Sequence, residues 1–331
     1  METVLVTGGA GYVGAHTCLR LAQAGFRPVT YDNLSNGHRR FVQWGPLEEG
    51  DIRDRPRLDE VLRRVRPSAV LHFAALIEVG ESVKHPDRFH DSNVAGALTV
   101  IEAARAAGVR RVVFSSTCAI YGEPQRLPLD EDHPQAPLNP YGETKRLVEQ
   151  ALARLAGTDG FQSVALRYFN AAGADPEGRI GEAHDPETHA IPLAIQAALG
   201  QRPGFRIFGD DYPTRDGTAL RDYVHVLDLA DAHVAALRYL MGGGATTAFN
   251  LGAGVGVTVR ELLDAVRKVS GRTFPVETAG RRPGDAPALV ADAGRAAATL
   301  GWRPTYDLEA IVETAWRWHS AQASGGPGAS A

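Results

Sequence analysis

Tyr141 and Lys145 stand four residues apart in the run Asn139-Pro140-Tyr141-Gly142-Glu143-Thr144-Lys145. That spacing puts a phenol and an ammonium one turn apart on the same face of a helix. Lys145 is one of three lysines among 35 basic residues. A chain that writes nearly every other positive charge as arginine keeps lysine here, as a position would that needs a compact ammonium and not a planar guanidinium. A free tyrosine titrates near ~10, so a phenol acting as a base near neutrality needs a drop of roughly 3 units, about 4 kcal/mol. The ammonium, a helix N-terminus capped by Asn139 and opened by Pro140, and an oxidised nicotinamide are the candidate sources. The plain alternative is an exposed i,i+4 pair of no chemical consequence. It is disfavoured by two features of the same region, the hydroxyl cluster Ser115-Ser116-Thr117 at the end of an expected strand and a glycine-rich turn near the start.

That turn is Thr7-Gly8-Gly9-Ala10-Gly11-Tyr12-Val13-Gly14, with glycines three apart, directly after a first apolar strand. Gly8 permits the tight strand-to-helix turn, Gly11 lets backbone approach a pyrophosphate, and Gly14 allows close packing of helix on strand. The pyrophosphate then sits on free amides at the helix N-terminus. A glycine run alone also fits a bare turn. Asp32, at the end of the second expected strand, adds the carboxylate that holds an adenosine ribose and repels a 2′-phosphate, so NAD is expected over NADP. Arg39 and Arg40 lie close by in sequence and read as solvated loop charges.

These groups need a scaffold. Short apolar runs at Val4–Thr7, Val29–Tyr31, Ala69–Phe73, Val112–Ser115 and Ser163–Tyr168 alternate with helical patterns, which predicts crossover units and a parallel sheet. Helices are expected at Tyr12–Ala24, stopped by Gly25, at about Val94–Ala107, stopped by Gly108, and at Pro192–Leu199 and Leu308–Gln322. Another opens at Thr258, with Glu261 completing a capping box. The fold class is therefore α/β: a Rossmann-type doubly wound sheet over residues 1–170, a smaller α/β ligand-shaping domain over 171–322, and a disordered tail over 323–331. With 331 residues, 44% hydrophobic, the chain can bury a large core. A net charge of -4 excludes a broad basic surface for nucleic acid. Cys18 and Cys118 read as reduced thiols, and the lack of a long apolar run or a leader-like start points to cytoplasm and no membrane partner. The eleven histidines show no metal-ligand spacing, so no metal is expected.

Read together, the glycine turn, Ser115–Thr117 with Tyr121-Gly122, and the Tyr141/Lys145 pair resemble the extended short-chain dehydrogenases/reductases. Further runs point to their NAD-dependent, nucleotide-sugar epimerase branch: Asp32-Asn33-Leu34, Gly50-Asp51-Ile52-Arg53, His72-Phe73-Ala74-Ala75, Val79-Gly80-Glu81-Ser82, Arg167-Tyr168-Phe169-Asn170, Asp210-Asp211-Tyr212-Pro213-Thr214 and Arg221-Asp222-Tyr223-Val224-His225. The resemblance spans about Met1 to His319. It implies an NAD site made of Gly8, Gly11, Tyr12, Val13, Gly14, Asp32, Asn33, Asn36, Asp51, Ile52, Phe73, Ala74, Ala75, Asn93, Ser115, Tyr141, Lys145 and Phe169. It implies a UDP-sugar site made of Thr117, Tyr141, Asn170, His189, Phe208, Arg221, Arg282 and Asp285, with Arg221 and Arg282 on the diphosphate. The implied reaction exchanges UDP-galactose and UDP-glucose through a 4-keto sugar, with Tyr141 as base, Thr117 relaying the proton and Lys145 anchoring both. The implied assembly is a homodimer through the Val94 and Tyr141 helices.

Some positions depart from the family pattern. Thr117 stands where serine is common and keeps the hydroxyl. Ile77 stands where some members carry a lysine beside the cofactor. Leu289 stands where a tyrosine or a smaller residue gates space beside sugar C2, which implies tolerance for N-acetylated sugars. A UDP-pentose, UDP-uronate or UDP-N-acetylglucosamine 4-epimerase is the nearest alternative, and a non-catalytic NAD-responsive binding protein the more distant one. A 4,6-dehydratase is disfavoured because Thr117 is followed by Cys118-Ala119 and not by acids.

Overall fold

The computed structural model describes residues 1–282 and 285–325. Its first half builds a parallel sheet: β1 (Thr3–Thr7), α1 (Tyr12–Gln23), β2 (Arg27–Asp32), β3 (Leu47–Glu49), α2 (Arg55–Val65), β4 (Ala69–His72), two short helices α3 (Val79–Lys84) and α4 (Pro86–Phe89), α5 (Gly96–Ala106), β5 (Arg111–Thr117), α6 (Pro140–Leu155) and β6 (Gln162–Tyr168). One wide π-helical stretch, His90–Ala95, leads into α5. The chain goes on through β7 (Asn170–Ala172), α7 (Ala190–Ala198), β8 (Phe205–Phe208), β9 (Leu220–His225), α8 (Val226–Met241), β10 (Thr247–Leu251), β11 (Gly256–Thr258), α9 (Val259–Ser270), β12 (Val276–Ala279), β13 (Ala288–Leu289), α10 (Gly294–Leu300) and α11 (Leu308–Ala323).

Seven parallel strands lie in the order β10-β6-β5-β4-β1-β2-β3. Both faces are covered, which is why the strands are apolar without alternation. Val4 and Val6 of β1 pack one face with Cys18 and Leu21 of α1 and Leu229 of α8. Leu5 between them packs the other face with Leu58 of α2, Val100 of α5 and Val148 of α6. The strand order reverses between β1 and β4, so a crevice opens at the carboxyl ends of those strands, where doubly wound folds take their ligands. Gly25 and Gly108 adopt left-handed conformations just past α1 and α5, as the sequence predicts for helix stops.

The structure departs from a single cut at residue 170. α8 returns to pack on α1, and β10 pairs with β6 from Thr247↔Val164 to Leu251↔Tyr168. Residues 226–251 thus belong to the sheet unit, because β6 has an open edge and the apolar pair Phe249 and Leu251 fills it. The remaining second unit centres on β9, flanked by β11, β13 and β7, with the β8–β12 pair and helices α7, α9 and α11 around a separate core that includes Ile195, Leu262 and Ile311. The expected tail lies outside the described residues from 326 onward, while α11 extends through Ala323.

The predicted capping box is present: Glu261 N donates to Thr258 Oγ1 (3.2 Å) and Thr258 N donates to Glu261 Oε2 (2.9 Å). Thr258→Ala removes that cap and is expected to destabilise the protein by about 1–2 kcal/mol, read as a lower urea midpoint at unchanged slope.

Candidate active site

The glycine turn is built around contacts no side chain could survive. Gly8 has φ of +75°, and a Cβ on it would lie 2.5 Å from the Ala74 nitrogen. A Cβ on Gly14 would lie 2.2 Å from the Gly8 oxygen. Gly11 caps α1 without a side chain, so the first amides of that helix have no capping partner of their own. Asp32 stands beside the turn, buried, with Oδ2 accepting from Ala10 N (3.0 Å) and Oδ1 from Leu34 N (2.8 Å). Burial raises its pKa against those two hydrogen bonds. Each oxygen keeps a second lone pair. Open amides, a backbone cradle too tight for any Cβ, and a carboxylate with spare acceptor capacity fit a dinucleotide. Arg39 pairs with Glu49 at the surface and Arg40 lies over Phe41, the solvated roles expected for both.

The other cofactor candidates divide. Phe73 and Ala74 pack against the Gly8 turn, and their amides donate to Thr7 O. Ile52 is buried beside Gly96, and Asn33 donates to Asp51 (3.0 Å). Arg53 holds Asp51 well below the usual carboxylate range. Val13 and Ala75 are half-buried and Asn36 is exposed. Tyr12 turns its hydroxyl to Gly173 O (2.6 Å), across to the second unit. Asn93 is committed internally: its amide accepts from Leu76 N (2.8 Å) and donates to Leu76 O (2.9 Å), which ties the loop after β4 to the helices behind it.

The catalytic candidates converge at the carboxyl end of β5. Asn139 caps α6 as predicted, accepting from Gly142 N (2.9 Å), with Pro140 at the first helical position. Lys145 is 3% exposed and donates to Ser115 O (2.9 Å); its Nζ lies 5.0 Å from the Phe114 ring centre and 5.9 Å from that of Tyr141. Ser115 Oγ bonds Tyr168, and Phe169 is buried next to Cys118. In the protein alone, burial pushes Tyr141 up to about 12; a hydrogen bond with Thr117 opposes this, while Cys118 and Glu78 add to it. Burial likewise lowers Lys145 to about 7, against the pull of Glu149. Desolvation is the largest influence on both groups, and it opposes ionisation of the Tyr141 phenol in the protein alone.

On the facing side, Arg221 and Asp285 pair at 3.7 Å, and the Arg282 guanidinium stacks 3.8 Å over Phe208. Arg221 also acts on Cys118, whose thiol burial pushes up to about 12, so this arginine lies within electrostatic reach of the catalytic end of β5. Asn170 donates to Asp222 O (2.9 Å), which leaves its carbonyl oxygen outward of that bond. Leu289 packs with Cys118, Tyr121, Phe169 and Ala291. His189 is the exception. It faces Glu182 and Glu187, each 2.9 Å from its Nδ1, and although burial opposes it these carboxylates raise its pKa well above the ordinary range. Glu182, His184 and Glu187 were not singled out in the sequence; the spacing Glu-x-His-x-x-Glu-x-His was the available signal.

A crossed Rossmann sheet, a glycine cradle and a Thr/Tyr/Lys set at one strand end define a dinucleotide-dependent enzyme of the short-chain class. The model of the NAD dependent epimerase/dehydratase family matches residues 4–252, and the chain belongs to that family. It is 65% identical over 319 residues to a UDP-glucose 4-epimerase of Rhizobium leguminosarum bv. trifolii, covering 96% of this chain and 98% of the relative. Among solved structures, UDP-glucose 4-epimerase from Brucella ovis in complex with NAD matches with a TM-score of 0.93 at 49% identity, over 96% of this chain and 98% of that one. The UDP-Glc/GlcNAc 4-epimerase of Campylobacter jejuni matches with a TM-score of 0.85 at 38% identity, over 97% and 99%. Among the described residues no helix is long and apolar enough to cross a membrane.

Gly8→Ala drives a methyl into the Ala74 backbone at a position of positive φ. The variant is expected to copurify with at least ~10-fold less NAD than the parent, measured by release of the nucleotide on denaturation.

Proposed function

We propose that the protein interconverts UDP-galactose and UDP-glucose by reversible oxidation at sugar C4. The observation that carries this is the convergence of Thr117, Tyr141 and Lys145 beside the glycine cradle, in a chain matched over nearly its whole length by UDP-glucose 4-epimerases. NAD, when bound, supplies a hydride acceptor that returns the hydride to the opposite face of C4. Gly8, Gly11 and Gly14 would hold its pyrophosphate and Asp32 its adenosine ribose. Tyr141 takes the 4-hydroxyl proton as the hydride leaves, and gives it back when the hydride returns. Thr117 bonds both the phenol and the sugar oxygen and passes the proton between them. Lys145 steadies the phenolate and is itself fixed by Ser115 O.

The positive charge that lowers Tyr141 has to arrive with the ligands, since burial holds the phenol near 12 without them. That couples chemistry to cofactor occupancy. Arg221 and Arg282 hold the diphosphate from the second unit while the hexose is free to turn and present either face. The buried, protonated Cys118 thiol is no competing nucleophile. Leu289, apolar and half-buried beside Phe169 and Cys118, leaves room at sugar C2 that a tyrosine would fill, which supports turnover of N-acetylated UDP-sugars as well. The assembly is a homodimer through the surfaces of α5 and α6, and the enzyme works in the cytoplasm.

Purified protein incubated with UDP-galactose and no added NAD should form UDP-glucose, because the cofactor is carried through the cycle; absence of product from protein containing NAD rejects the reading. Tyr141→Phe should lower kcat by roughly 10²–10⁴ while NAD stays bound, and unchanged turnover would instead favour a binding protein. UDP-N-acetylglucosamine should be epimerised by the parent and lose more kcat/KM than UDP-glucose does in Leu289→Tyr. Light scattering should give a mass of two chains.

A further inference from the structure

Glu182, His184, Glu187 and His189 lie on the loop that leads into α7, and none of them takes part in the hydride or proton chemistry above. Their ligand atoms all fall within 4.8 Å of one another. His189 Nδ1 is 2.9 Å from both Glu182 Oε1 and Glu187 Oε1; His184 Nδ1 is 3.2 Å from Glu182 Oε1 and 3.9 Å from Glu187 Oε2. A tetrahedral zinc with ~2.1 Å bonds sets its ligand atoms roughly 3.4 Å apart, and these separations bracket that value.

Charge points the same way. The side chains of Glu182 and Glu187 are 4% and 6% exposed, and among the described residues the ion-pair partners of both are imidazoles. A third imidazole, His319 on α11, faces the same carboxylates from across the cluster, and burial keeps it low in pKa. Two carboxylates this close and this dry repel each other, and a cation bound between them would offset that repulsion. The loop holds them in place from outside: Trp318 Nε1 donates to Glu182 O (2.8 Å), His38 Nε2 bonds Ala183 O (2.7 Å), and Gly181 lies against the Trp318 ring. A preformed set of this kind loses little freedom on binding a metal.

We propose that Glu182, His184, Glu187 and His189 form a site for one divalent cation of zinc type, held by two imidazoles and two carboxylates beside Tyr12 at the start of α1. The donor set decides the class of ion: imidazole nitrogens suit zinc and its first-row neighbours, while magnesium prefers oxygens and water. Tyr12 packs edge-on to His184 at 6.2 Å between ring centres and bonds Gly173 O. The ion would therefore clamp the 181–189 loop against the helix that carries the glycine cradle. It takes Nδ1 of His189 and leaves Nε2 free. The site rests on the loop itself and not on the identity of the sugar.

The test uses the full chain with its copurified cofactor, freed of adventitious metal by a chelator and titrated with zinc chloride in a calorimeter. One equivalent per chain should bind saturably, and His184→Ala and Glu187→Gln should each weaken binding at least ~10-fold, while His85→Ala, at an exposed histidine elsewhere, should not. Zinc should raise the melting temperature of the parent and of His85→Ala, and raise it less or not at all in the two site variants. If a site variant fails to fold, the other carries the comparison. A flat titration, or binding of equal strength in the parent, His184→Ala and Glu187→Gln, overturns the site. Neither readout involves turnover, so this result and that for epimerisation are separable.

Discussion

Lys145 is drawn out of water to donate to Ser115 O, and the catalytic end of the sheet is assembled around that bond. One turn further along α6, Glu149 repeats the attachment, accepting from Ser116 and from Arg167 of β6 with both charged side chains under 9% exposed. Helix α6 is thus fastened to β5 and β6 by adjacent polar bonds in a dry layer. Breaking such a buried pair by removing one partner typically costs about 3–5 kcal/mol. The attachment sets where Tyr141 stands relative to Thr117. Arg167 extends it to Tyr121, whose hydroxyl bonds Asn250 on β10, so the returning strand is part of the same network.

The layer that fixes geometry also works against ionisation. Burial raises Tyr141 and lowers Lys145, and the two groups alone are poised away from their working charge states. A site of this design is quiet until a cationic cofactor and a hydroxyl-bearing substrate enter, at which point small gains in interaction shift the proton. A guanidinium is planar and broader, and does not reproduce the single compact donor that meets Ser115 O beside the Phe114 ring.

Much of this was legible in the sequence, for identifiable reasons. The glycine turn, Asp32, the Asn139-Pro140 helix start and the Thr258/Glu261 capping box are local patterns whose geometry follows from a few neighbouring residues, and the structure has each. The return of α8 and β10 to the main sheet was not legible, because strand pairing across more than 80 residues leaves no local mark beyond a short apolar run. Asn93, expected at the cofactor, has its amide bonded to Leu76 and to Thr144, pairings that no local pattern shows. The charges around Tyr141 can be read from spacing, whereas the burial that raises its phenol in the protein alone cannot. The Glu182–His189 cluster shows in the chain as Glu-x-His-x-x-Glu-x-His, but only the fold of the loop brings the four ligand atoms within 4.8 Å of one another.

The central claim is that a compact ammonium at 145, and not positive charge as such, holds the catalytic end of the sheet in its working geometry through the bond to Ser115 O beside the Tyr141 ring. Lys145→Arg tests it most directly, with kcat for UDP-galactose measured alongside bound NAD and the thermal midpoint. The account predicts a folded protein that loses at least ~10²-fold in kcat. Epimerisation at the parental rate would contradict it.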